Sequence, residues 1–194
     1  MIREISLKNF KCFLDSTVPF SQLTVLAGIN NVGKSTIIQS LLLSRKVVTD
    51  FRNFNTKVLL KNEYVNLGSS KQATSFLSDD EHIYFTIKRN TAAKEISSLF
   101  IKFKAESGEA NNYLTVKQIT GIPDSSELSG INILHPSFLY LNAERLGPRD
   151  FQQYSADEFN MGIRGEYTSH ILHKNERKKL LSGKCYQEDE NTRF

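Results

Sequence analysis

The chemistry in this chain concentrates at Gly28-Ile29-Asn30-Asn31-Val32-Gly33-Lys34-Ser35, which fits the pattern G-x-x-x-x-G-K-[ST] at every position. Glycine at 28 and 33 admits backbone angles and close approaches that a Cβ would forbid, so successive N–H groups can ring a chain of phosphates. Lys34 is placed to reach β- and γ-phosphates as a point charge, and the Ser35 hydroxyl to ligate Mg²⁺. A Gly-rich turn that merely caps a helix would explain neither the lysine nor the serine.

Such a loop works when a strand delivers it and a helix follows. Residues 22–27 form a short apolar, β-branched run that predicts the strand. From Ser35 onward, Ile37, Ile38, Leu41 and Leu42 recur at helical spacing, which predicts one main helix with these four on its buried face. Its N-terminal dipole would add to the anion site.

Upstream, residues 1–10 alternate as a half-buried strand apart from a slip between Ile2 and Ile5. A second short strand follows through 17–20, where Pro19 calls for an edge or a strand end. Residues 59–69 hold a short strand ending in a Gly-Ser turn, with Gln72 just beyond. Period-two patterning then marks 83–88, 99–104 and 113–119 as an antiparallel meander. Lysines 88, 102, 104 and 117 alternate with its aromatics. A nucleic-acid stripe is one reading, and a solvated sheet face opposite a buried one is the favoured reading. The run 137–141 suits a doubly buried central strand, and 165–172 a helix. His170 and His173 fall on one face of that helix, but no further ligands lie nearby for a metal.

Length and composition fit one globular domain, or a domain plus an insertion: 194 residues, 39% hydrophobic and 24% charged, with a net charge of +4. The mild basicity is compatible with a polyanionic ligand without requiring nucleic acid. No apolar run is long enough to span a bilayer and no leader pattern opens the chain, so the cytoplasm is the expected compartment and no membrane partner is expected. Cys12 and Cys185 stand far apart and outside any ligand motif, which predicts reduced thiols.

The opening I-x-x-I-x-L-x-N-F-K-x-F at 2–13 and L-T-V-L-A-G-x-N-x-x-G-K-S-T at 23–36 resemble the start of the ABC-type ATPases of the SMC, RecF and OLD kind, a bacterial AAA-family group. The resemblance implies an α/β P-loop NTPase fold, the first lobe of an ABC ATPase with an antiparallel β-subdomain and without the C-terminal half. It divides the chain into a P-loop core at 1–60, a β-rich subdomain at 61–135, and a Q-loop-like strand with a helical segment at 136–194. It implies ATP and Mg²⁺ as ligands, with Gly28, Asn30, Asn31, Val32, Gly33, Lys34, Ser35, Thr36 and Lys11 at the nucleotide and Ser35 on the metal. Asn9, Phe10 and Lys11 would flank the adenine and phosphate region. The run Y-L-N-A-E-R-L-G-P-R at 140–149 is similar to a segment of OLD-like ATPases whose place matches the γ-phosphate-sensing Q-loop, which would make Glu144 and Arg145 sensors. A salt bridge at a strand end is the equal alternative. The run R-G-E-Y-T-S-H-I-L-H-K-N at 164–175 resembles the same subgroup. Gln72 invites comparison with the Mg²⁺-linked glutamine of ABC ATPases, although a solvated loop residue is the simpler reading.

Several parts of such an ATPase are missing from the sequence. No apolar run ends in Asp-Glu to hold Mg²⁺ and polarise water, and Leu181-Ser182-Gly183-Lys184 lacks the second Gly and the Gln of an L-S-G-G-Q signature. The expectation is therefore ATP binding by part of an ATPase, with the 194-residue chain alone turning ATP over at background rate. In the full-length protein, the resemblance implies an ATP-glued homodimer whose hydrolysis serves a DNA-directed effector such as a nuclease, in defence or repair. Two other classes compete: a nucleotide-binding scaffold that partners a nuclease without its own hydrolysis, and a kinase or GTPase that shares the loop. No Asn-Lys-x-Asp for guanine occurs.

Overall fold

The computed structural model describes residues 1–51, 56–90, 95–106, 111–122, 138–143, 154 and 161–176. The chain divides into two compact units, 1–138 and 139–194. In the first, strands β1 (Ile2–Phe10) and β2 (Phe13–Pro19) precede helix α1 (Lys34–Phe51). Strand β3 (Lys57–Leu59), the short helix α2 (Ser70–Ala73), and strands β4 (His82–Asn90), β5 (Ile96–Ala105) and β6 (Tyr113–Thr120) follow. They build one six-stranded sheet in the order β2-β1-β4-β5-β6-β3. Every pairing is antiparallel.

Alternation sets the two faces of this sheet. Ile5 and Leu7 on β1, Ile83, Phe85 and Ile87 on β4, Leu99, Ile101 and Phe103 on β5, and Leu114 and Val116 on β6 are all buried. Phe10, Phe85 and Phe103 form an edge-to-face chain across three strands, with centroids 4.9 and 5.1 Å apart. Each such pair adds about 0.5–1.5 kcal/mol beyond its buried area. From α1 come Leu42, Leu43, Val47 and Val48, also buried. The meander expected at 83–119 is present, and it continues the sheet begun by the N-terminal hairpin. The slip between Ile2 and Ile5 is a register shift against β4. Pro19 closes β2, an edge strand, where its missing donor is harmless.

Three expectations fail. Residues 22–27 form no strand: the Ser21 hydroxyl turns back to the Leu23 carbonyl at 2.6 Å, and Leu23 and Val25 are 80% and 77% exposed. β-propensity describes fit to a paired, half-buried surface, and no described strand offers these residues a ladder. The sheet is therefore not built around 23–27. On α1 the buried stripe is rotated, because Ile38 is 40% exposed while Ile37, Ser40, Leu43 and Val47 face inward. The serines tolerate this because Ser40 and Ser44 hydroxyls donate back to the Ile37 and Ser40 carbonyls at 2.7 and 2.8 Å. Residues 138–141 are irregular rather than a central strand, and Leu139 is exposed. In the second unit, helix α3 (Thr168–Asn175) begins later than the expected 165, after a turn through Gly162 and Gly165 at φ 74° each. Among the described residues no helix is long and apolar enough to cross a membrane.

The turn between β1 and β2 is conformationally special. Asn9 and Lys11 both sit at positive φ, 58° and 50°. The Asn9 side chain is buried and donates to the carbonyls of Asp80 and His82, while its own oxygen accepts from the Ser75 N–H at 3.1 Å. Asn9→Ala leaves the buried Ser75 N–H and the part-buried Asp80 and His82 carbonyls without this partner and keeps a left-handed residue without its local compensation, so we expect a loss of about 1–3 kcal/mol. Asn9→Gly should recover only the backbone part, about 1 kcal/mol. Urea denaturation of the three proteins measures both, and a loss of a few tenths for the alanine variant would contradict the assigned role.

Candidate functional site

Residues 28–33 lead directly into the N-terminus of α1. Left-handed backbone angles recur along them: Gly28 at φ 148°, Asn31 at 68° and Gly33 at 96°. Such a sequence of angles turns successive N–H groups toward one concavity. Gly33 is buried while Asn30, Asn31 and Val32 around it are exposed. A Cβ on Gly33 would stand 2.6 Å from the Phe13 ring and 2.8 Å from the Cys12 sulfur. The tip of the β1–β2 turn therefore rests on this glycine. α1 carries no acidic residue in its first turn, so its positive end is not neutralised from within.

Lys34 folds over its own loop, donating to the carbonyls of Gly28 at 2.7 Å and Ile29 at 2.6 Å. Ser35 next to it is exposed, and Thr36 is buried with its hydroxyl 4.0 Å from the Cys12 sulfur. Lys11 approaches α1 from the turn. Its backbone N–H donates to the Ala73 carbonyl at 2.9 Å and its ammonium to the Gln39 side-chain oxygen at 3.2 Å. Burial pushes the Lys11 ammonium below the usual lysine range, and the neighbouring Cys12 opposes this in part.

Asn9 and Phe10 were expected beside a nucleotide, yet both are buried: Asn9 is saturated by the 75–82 segment and Phe10 packs on Phe85. Lys11 alone of that trio reaches α1. Gln72 is exposed, as a solvated residue would be, and sits inside the short helix α2. Its oxygen accepts from the Ser69 N–H at 2.9 Å in a capping box that starts α2. Glu144 and Arg145 lie outside the described residues, as do Cys185 and 181–184. His170 stacks near Tyr154 and His173 faces Glu176, and the described residues hold no group of three or more metal-ligating side chains. Phe13 and Gln39 were not singled out from sequence. Gln39 sits one turn beyond Ser35 on α1, which is the one signal that pointed toward it.

A loop with glycines at positive φ that enters a helix and is followed by lysine and serine fits an α/β P-loop NTPase fold, although no described strand delivers it. The AAA ATPase domain family matches residues 1–192, and the chain belongs to that family. One stretch of 66 residues is 33% identical to the OLD nuclease of Thermus scotoductus, covering 29% of this chain and 12% of the nuclease. A solved structure reported under ATP-driven dimerization and DNA stimulated activation of SMC ATPases is similar at TM-score 0.39 and 15% identity, over 60% of this chain and 69% of that one.

Lys11 yields a test with a definite sign. Its pKa in the folded protein lies below the ordinary lysine value, so between the two values the unfolded chain holds the extra proton and stability rises with pH. Below that window the burial penalty is present in full. Lys11→Met should therefore be more stable than the native chain at pH 7, with the difference shrinking as pH approaches the ordinary lysine value of about 10.4. Denaturant midpoints at pH 7 and pH 10 check this, and a difference that stays constant with pH would contradict it.

Proposed function

We propose that Gly28, Asn30, Asn31, Val32, Gly33, Lys34, Ser35, Thr36 and Lys11 together hold ATP with Mg²⁺. The observation that carries the reading is the loop itself: left-handed angles at Gly28, Asn31 and Gly33 leading into the start of an 18-residue helix without an acid in its first turn. Lys34 already meets backbone carbonyls, so it can pass to the β- and γ-phosphate oxygens by a side-chain rotation. The Ser35 hydroxyl would hold Mg²⁺, which neutralises charge between phosphate oxygens when bound. Lys11 fits as a second cation: its ammonium is partly desolvated and donates to the neutral amide of Gln39, so an arriving phosphate would relieve it.

Hydrolysis needs a carboxylate to orient the metal and another to polarise the attacking water. No apolar run of this sequence ends in such a pair. We infer that the 194-residue chain binds ATP with background turnover, and that the longer protein closes the open side of the triphosphate with a second copy. A DNA-directed effector such as a nuclease is the partner favoured by the OLD nuclease match, although that match spans only 12% of the nuclease. The second reading, a nucleotide-binding scaffold for such a nuclease, is favoured by the same missing carboxylates.

Titration of the chain with a fluorescent ATP analogue and Mg²⁺ tests the site. Lys34→Ala should weaken binding at least tenfold, about 1.4 kcal/mol or more, with an unchanged denaturation midpoint. Lys11→Met should weaken it severalfold while stabilising the fold, the opposed signs marking a residue kept for its ligand. Equal affinity for native and Lys34→Ala would refute the assignment. Sedimentation with a non-hydrolysable analogue tests pairing.

A further inference from the structure

Lys11 reaches α1 where the helix offers it no carboxylate. The one acid of α1 is Asp50, near its far end, and Lys46 engages it at 3.1 Å. Elsewhere in the sheet Lys88 meets Glu4 at 2.7 Å and Lys104 meets Glu81 at 3.2 Å. The Lys11 ammonium meets an amide instead, donating to the Gln39 side-chain oxygen at 3.2 Å. An ammonium carries donors alone, so the amide oxygen is the end that faces it.

Both partners of this contact are placed by the fold. Gln39 lies four residues beyond Ser35 on the same side of α1, about 6 Å along the axis at about 1.5 Å per residue. The Lys11 backbone is tied by its N–H bond to the Ala73 carbonyl at 2.9 Å, inside the turn that Asn9 holds. The side chain of Lys11 is the part left to move, and about one helical turn separates its present partner from Ser35.

An amide and a carboxylate would do different things at this place. A carboxylate would neutralise the ammonium and retain it through a charge-assisted bond. The amide accepts a hydrogen bond and leaves the charge standing. Burial already works against that charge, with Cys12 opposing in part. Order without neutralisation is what an arriving anion can use, because the cation is in place and no ion pair has to be broken. We propose that Gln39 is a positioning residue for the nucleotide: its neutral amide holds the Lys11 ammonium one turn from Ser35 and gives it up to the triphosphate when ATP binds. The inference rests on the nucleotide reading above and adds to it a residue that touches no phosphate.

Titration with a fluorescent ATP analogue and Mg²⁺, together with urea denaturation, tests it on Gln39→Met and Gln39→Glu, each with Lys11 present and in the Lys11→Met background. Gln39→Met removes the acceptor and frees the ammonium, so affinity should fall about threefold. In the Lys11→Met background the same change should leave affinity as it was, a dependence that a purely structural role for Gln39 would not produce. Gln39→Glu should weaken binding about tenfold. It should also raise the denaturation midpoint where Lys11 is present and lower it in the Lys11→Met background, where the new carboxylate has lost its partner. Affinity unchanged by either Gln39 variant, a Gln39→Met effect of equal size in both backgrounds, or a Gln39→Glu midpoint shift of one sign in both, overturns the proposal. Equal affinity of native chain and Lys34→Ala overturns the nucleotide reading itself, and this inference with it, so the two failures are told apart.

Discussion

The fold and the candidate site meet at one buried amide. Asn9 ties the end of β1 to Ser75, Asp80 and His82, and thereby holds the β1–β2 turn with two non-glycine residues at positive φ. Left-handed angles at Asn9 and Lys11 would each be unfavourable by about 1 kcal/mol or more in an isolated chain. Here the surroundings over-determine them. The turn is tied on both sides, through Asn9 to Ser75 and through the Lys11 N–H to Ala73, and its tip, Cys12 and Phe13, lies against Gly33. The phosphate loop is shaped from outside as much as by its own glycines.

That geometry explains the distribution of charge near α1. The helix start has no acid, Lys34 is folded on backbone carbonyls, and Lys11 is drawn into a partly desolvated place opposite a neutral amide. Two cations without carboxylates close by are unfavourable for stability and favourable for an anion. The outer sheet face differs, because its lysines stand among acids: Lys88 pairs with Glu4, Lys104 with Glu81, and Asp15 lies opposite Lys8 in the β1–β2 register.

Much of the local structure is legible from the sequence. The meander follows from strict alternation, the irregularity in β1 from the spacing of Ile2 and Ile5, and the edge position of β2 from Pro19. Other features depend on partners that no local pattern announces. Residues 22–27 have strand-forming side chains, but pairing is a property of two segments and none is supplied among the described residues. The interactions of Asn9 span 66 to 73 positions, and Lys11 meets Gln39 across 28. Gln72 drew notice for its place in the chain, and the serine three residues earlier, which pairs with it in a capping box, is what the local sequence also offered. The loop at 28–35 stands out in the sequence because its glycines fall where the backbone takes positive φ, at 28 and 33. Phe13 escaped notice because an aromatic against a glycine leaves no signature in spacing.

The central claim, that the turn at 11–13 and the loop at 28–36 form one anion-holding unit, is tested most directly by amide hydrogen exchange with and without ATP and Mg²⁺. The account predicts slower exchange in peptides covering 28–36 and, through Gly33 and Lys11, in those covering 10–13, with 113–120 on the far side of the sheet unchanged. Protection of 28–36 without any change at 10–13 would contradict the coupling, and no protection at 28–36 under saturating nucleotide would contradict the site itself.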